Sequence, residues 1–186
     1  SRQVVFFAIG FETTTPPTAV AIKEAQAQGV TNFSVFSNHV LTPAAVAHIL
    51  SSPEVADHRT VSIDGFLGPS HVSSIIGSKP YEAAAEHFKR PVVIAGFEPL
   101  DVMQATLMVI RQLNEGRHEV ENEYVRVVTR EGNTKAQAIV AEVLELRDTF
   151  EWRGLGEVPR SALRIRDEFS DFDAEARFDI TTRKVK

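Results

Sequence analysis

The sequence contains no cysteine. A disulfide framework, a zinc–thiolate site and a cysteine nucleophile are therefore excluded within these 186 residues. Basic charge is also short: 20 Lys and Arg stand against 25 Asp and Glu, a net −5, which argues against a nucleic-acid partner. No apolar run reaches the roughly 18 residues of a membrane span, so no membrane partner is expected. Three chemical signatures are missing as well. No G-x-G-x-x-G follows a strand, no G-x-x-x-x-G-K occurs, and no H-E-x-x-H is present. What remains is 43% hydrophobic and 24% charged, and a chain of this length buries roughly 70% of its unfolded surface.

Charge density divides the chain. Residues 1–100 carry 14 charged side chains, and residues 157–186 carry 14 in a third of the length. The first part reads as a Rossmann-like α/β core over 1–116, followed by a helical and strand continuation over 117–156. Residues 157–186 read as a charged extension packing on a missing domain. The abrupt start at Ser1-Arg2-Gln3 and the basic end at Thr181–Lys186 predict a piece of a longer polypeptide.

Continuous apolar runs mark Val4–Ile9, Phe33–Phe36, Val61–Ile63 and Val92–Ala95. They lack alternation, as strands buried on both faces do. Helical patterns separate them: Ala19, Ile22 and Ala25 after Pro16-Pro17, then Ala44–Leu50, Val72–Ile76, Tyr81–Phe88, and a longer helix through Met103, Leu107 and Ile110 to Gly116. Beyond it, Tyr124–Thr129 and Lys135–Leu146 are predicted helical. The fold class is α/β, a mostly parallel sheet with helices on both faces.

A Gly-Phe-Glu triplet follows two of the runs, as Gly10-Phe11-Glu12 and Gly96-Phe97-Glu98; Asp64-Gly65-Phe66 is a variant. Ligands of parallel sheets bind outside the carboxyl ends of the strands. On one sheet, Glu12, His39, Asp64, His71 and Glu98 would share one rim as candidate catalytic groups. Carboxylates and imidazoles there can ligate a divalent metal or exchange protons. Each acid can equally cap a helix or accept loop amides. Trp152 and Arg153, beside the Gly154-Leu155-Gly156 turn, are a candidate partner or interdomain edge. From these residues two functions stay open: a metal-dependent hydrolase or lyase using the rim, and a non-catalytic docking domain.

In order, Gly10–Thr14, Ser37-Asn38-His39, Ile63–Phe66, Pro69–Val72, Ala95–Asp101, Glu121–Tyr124, Glu131-Gly132-Asn133, Trp152–Gly156 and Phe172–Glu175 resemble the HypD family of hydrogenase maturation factors. Ser70 and Ala162 stand where that family is expected to have glycine. The family's cysteines are absent, so the resemblance implies a central portion of a longer protein. It implies cytoplasmic location and a scaffold on which one iron receives carbon monoxide and two cyanides. It also implies partners: a HypC-like small chaperone, a HypE-like cyanide donor and, indirectly, the hydrogenase large subunit. Iron and a [4Fe-4S] cluster are implied for the full-length protein, and no cofactor is expected in this chain.

Overall fold

The computed structural model describes residues 2–56 and 62–180. The chain runs β1 (Val4–Gly10), a 3₁₀ turn over Glu12–Thr14, α1 (Thr15–Ala27), β2 (Phe33–His39), α2 (Thr42–Ser51) and α3 (Pro53–Ala56). It continues through β3 (Phe66–Pro69), α4 (Ser70–Ile76), α5 (Glu82–Phe88), β4 (Val92–Ala95), α6 (Pro99–Glu115) and β5 (Val120–Asn122). Last come α7 (Thr134–Val143), β6 (Leu144–Leu146), β7 (Thr149–Trp152), β8 (Gly156–Pro159), β9 (Leu163–Ile165), a 3₁₀ stretch over Asp167–Phe172 and α8 (Ala174–Arg177).

The α/β class and the parallel pairing hold. The strands form two parallel sheets rather than one: β1 pairs with β2, and β4 lies between β3 and β5. The chain returns to the first sheet late. β6 and β9 pair antiparallel, as do β7 and β8, and bridges join Val35 to Asp173 and Val40 to Ala162. The far edge of β2 is thereby used by the carboxyl-terminal segment, which keeps β3 from extending that sheet.

Three buried clusters result among the described residues, and they do not follow divisions at 116 and 156. One packs Ala8, Ala19, Ile22 and Val35 against Val143, Leu144, Leu163, Ile165, Phe169 and Phe172. Residues expected in a charged extension are thus built into the first core. Their charges alternate with the buried positions, as in β9, where Leu163 and Ile165 point in and Arg164 points out. In the second lobe, successive residues of β4 face opposite ways. Val92 and Ile94 meet Tyr81 and Ala85, while Val93 and Ala95 meet Ala105 of α6.

Three local expectations change. The third strand is Phe66–Pro69, after the predicted Val61–Ile63; Ser62 and Ile63 are not in a strand, and Val61 lies outside the described residues. Tyr124–Thr129 is a turn, with the Tyr124 carbonyl accepting from the Val127 and Val128 amides, and Val128 buried in the second core. The helix from Thr134 ends at Val143, where Leu144–Leu146 becomes β6. Thr181–Lys186 lies outside the described residues.

Candidate functional site

Each Gly-Phe-Glu sits at the carboxyl end of a parallel strand, and in each the glycine is required by close approach. Gly10 has φ +151°, and a Cβ there would run into the Thr14 side chain. A Cβ on Gly96 would run into the Asp101 carboxylate and the Tyr124 ring. The two phenylalanines are both exposed. Phe11 is 43% exposed and stands beside Trp152, with ring centroids 6.4 Å apart. Phe97 is 70% exposed and lies 5.2 Å from the His71 ring.

The two glutamates then part company. Glu12 is buried, and its carboxylate accepts the Thr42 backbone N–H at 2.7 Å and the Thr42 hydroxyl at 2.9 Å. Burial pushes its carboxyl above the ordinary 4.5, and the hydrogen bonds from its own backbone and from Thr42 pull back in part. Nearby, Tyr81 is buried and its hydroxyl has no hydrogen-bond partner among the described residues. Burial first and the Glu12 charge second drive that hydroxyl upward. Glu98, in contrast, is exposed. It is the N-cap of α6 in a capping box with Asp101, and Arg126 reaches it at 3.3 Å. Arg126 also holds Asp101 at 2.7 Å and keeps that carboxyl below its usual range. The same guanidinium lies 4.1 Å from the centre of the Tyr124 ring.

His39 is fully buried at the end of β2, between two threonines. Its Nδ1 is 3.1 Å from Thr14 Oγ1 and its Nε2 is 3.0 Å from Thr18 Oγ1. The Thr14 hydroxyl also lies 2.8 Å from the Phe11 carbonyl, and the Thr18 hydroxyl 2.9 Å from the Thr14 carbonyl. If both hydroxyls gave their single protons to carbonyls, both ring nitrogens would have to donate. That is the imidazolium. Burial depresses the His39 pKa below 6.5, with the Gly10 backbone opposing, which favours the neutral ring. In the neutral ring one nitrogen is an acceptor, and a threonine hydroxyl is the donor within reach of it.

The five rim residues do not form one cluster. Glu12 and His39 lie at the end of the first sheet, each turned to threonines. His71, exposed at the start of α4, and Glu98 lie at the end of the second sheet. Asp64 is a correction: it precedes β3 and so lies at the opposite strand end, exposed, with Ser62 donating to it at 3.2 Å. What connects the two ends is α4. It packs on the Glu12–Thr14 turn, and its Ile75 and Ile76 line an apolar cavity of about 370 Å³ together with Glu12, Val140, Leu144 and Leu163. Its other end carries His71. The five-residue step from His71 to Ile76 spans about 7.5 Å of helix.

No three His, Asp or Glu among the described residues come close enough to hold a metal. Among the described residues the metal-dependent hydrolase reading therefore has no three-residue ligand set. An iron–sulfur cluster needs thiolates, and the sequence has none, so residues 1–186 do not fit that group by themselves.

Trp152 is half-buried, and its indole N–H donates to Ser161 Oγ at 2.8 Å. Between Phe11 and Ser161 it braces the loop that carries Glu12. Arg153 is exposed on the turn between β7 and β8. His48 is half-buried, with its Nε2 3.2 Å from the Leu155 carbonyl. Sequence reasoning missed Thr42, Thr14, Thr18, Tyr81 and Arg126. The hydroxyl run Thr13-Thr14-Thr15 beside a strand-end acid was the one available signal.

Comparison with known proteins adds the family. The sequence matches HypD, described as the hydrogenase formation hypA family, over residues 1–186. It is 67% identical over 184 residues, 99% of this chain, to the hydrogenase maturation factor HypD of Cupriavidus necator. Identity is 63% over 185 residues to that of Rhizobium leguminosarum bv. viciae and 42% over 178 residues to that of Escherichia coli K12. The chain covers 48%, 48% and 46% of these three proteins, so it spans about half the length of the curated relatives it matches.

Proposed function

The chain belongs to the HypD family, and from that premise we propose that it forms part of a scaffold on which the iron of nickel–iron hydrogenases is dressed with carbon monoxide and cyanide. Iron is the cargo of this process. The longer polypeptide supplies the thiolates that this chain lacks, and residues 1–186 supply a cleft wall. The observation that carries this reading is the bridge made by α4, which ties the buried Glu12 turn of one sheet end to the exposed His71–Phe97 pair of the other.

Accessibility supports a division of roles. His71 and Glu98 are exposed and can meet cargo, orient its ligands or move protons. Glu12 and His39 are buried and act as positioning residues, each fixing the loop after its strand. Partner proteins would be a HypC-like small chaperone and a HypE-like cyanide donor, with the hydrogenase large subunit receiving the product in the cytoplasm. No helix among the described residues is long and apolar enough to cross a membrane.

The test uses the full-length polypeptide purified with its cargo. Iron-bound carbon monoxide and cyanide give infrared bands in a region free of protein absorption. His71→Ala and Glu98→Ala should weaken or shift those bands in a protein of unchanged circular dichroism, and Asp64→Ala should not. Wild-type bands in both of the first two variants would overturn the reading.

A further inference from the structure

We infer that the free edge of β1 is the docking site for one more parallel β-strand, supplied by the part of the longer polypeptide outside residues 1–186. The inference rests on family membership and not on the assembly role.

The two Gly-Phe-Glu strands make an internal comparison. β4 reads Val-Val-Ile-Ala, has a partner on each side, and is buried at all four positions, from 0% to 6% exposed. β1 reads Val-Val-Phe-Phe-Ala-Ile before its Gly-Phe-Glu, and is at least as apolar. Among the described residues it has β2 as its only strand partner. Val4, Val5, Phe6, Phe7 and Ile9 are 52%, 48%, 47%, 55% and 63% exposed. Unpaired edges in soluble proteins carry lysine, proline or a bulge that blocks further pairing. Val4–Ile9 has none of these.

The open edge is also geometrically ready. The Val4 N–H donates to the Asn32 carbonyl at 2.8 Å, and the Gly10 carbonyl accepts from the Val40 N–H at 3.0 Å. Even-numbered residues therefore spend their backbone groups on β2. In a parallel ladder the alternate residues point the other way. The N–H and C=O groups of Val5, Phe7 and Ile9 thus face the vacant side. A groove of about 600 Å³ follows β1, walled by Pro17, Thr18 and Ala21 of α1 and reaching His39.

The chemistry of the occupant follows. The groove and the strand are apolar, so the incoming segment is extended and rich in aliphatic residues. A second copy pairing edge to edge about a two-fold axis would run antiparallel. Both strand pairs flanking β4 are parallel, and so is β1 with β2. A parallel strand in turn arrives with a crossover connection, usually helical, which can cover the open Val5–Phe7–Ile9 face. The relatives have the material, since this chain accounts for 48% of the Cupriavidus necator protein.

Amide hydrogen exchange on the full-length polypeptide, resolved to single residues, tests this. Val5, Phe7 and Ile9 should exchange at least about 100-fold more slowly than an unstructured chain, as amides in a paired strand do. The protection should be unchanged on tenfold dilution into the monomer range. Fast exchange at these three amides would overturn the inference. So would protection that disappears on dilution together with a dimer, since that outcome assigns the edge to a second copy.

Discussion

The Glu12 carboxylate accepts both the backbone N–H and the hydroxyl of Thr42, at 2.7 and 2.9 Å, which fastens the loop after β1 to the first turn of α2. Removing the acceptor leaves two donors unpaired in a buried place. Glu12→Ala should cost about 1–3 kcal/mol in urea unfolding of the full-length protein.

The same carboxyl predicts a pH dependence. Its folded-state pKa is raised above 4.5, so its contribution to stability is fully present below about pH 4.5 and is lost as pH rises through the raised value. Glu12→Gln has no such titration. The wild type should therefore lose ground to the glutamine variant between acid and neutral pH, as read from denaturation midpoints. A difference that stays constant with pH contradicts the assignment.

His39 gives the opposite slope. Its pKa is depressed below 6.5, so below that pH the unfolded chain takes up a proton that the folded chain refuses. The stability it contributes is present above pH 6.5 and is lost as pH falls towards the folded value. Proton NMR should show the His39 ring titrating below 6.5. In His39→Gln the acid limb of the stability curve should flatten over the same window.

Trp152 braces the loop of Glu12 through the Phe11 ring and through Ser161. Trp152→Ala removes one aromatic pair and one hydrogen bond, a loss of about 2 kcal/mol. Arg153→Ala, on the exposed turn next door, should leave the melting temperature within about 1 °C of wild type. Equal effects of the two would contradict this division of roles.

Gly96→Ala places a methyl against Asp101 and Tyr124, in the middle of the capping box of α6. The variant should be destabilised by about 1–3 kcal/mol. Shortening the obstacle, as Asp101→Ser, should recover part of that loss when combined with Gly96→Ala.

The fold class was legible because Val4–Ile9 and Val92–Ala95 are apolar without alternation, and because Pro16-Pro17 and Pro99 open helices where proline fits the first turn. The split into two sheets was not legible. Strand order depends on what closes the edge of β2, and those residues, Ala162 and Asp173, lie more than 120 positions downstream. The third strand was misplaced because Gly68 and Pro69 in Phe66–Pro69 read as loop. That error carried Asp64 to the wrong end of the sheet. The buried role of residues 163–172 was hidden by charges interleaved with Leu163, Ile165, Phe169 and Phe172. At the site, the strand-end positions of Glu12, His39, His71 and Glu98 could be read from motif and run. Which of them is buried could not, because that depends on Thr42, Tyr81 and Arg126 arriving from other elements.

The most direct measurement is hydrogenase activity in a strain lacking its own copy of the maturation factor and supplied with the full-length polypeptide carrying His71→Ala. Activity at the uncomplemented background, with the variant accumulating to wild-type levels and Asp64→Ala fully active, is the predicted result. Wild-type activity from His71→Ala would contradict the placing of the working face at the α4 end of the second sheet.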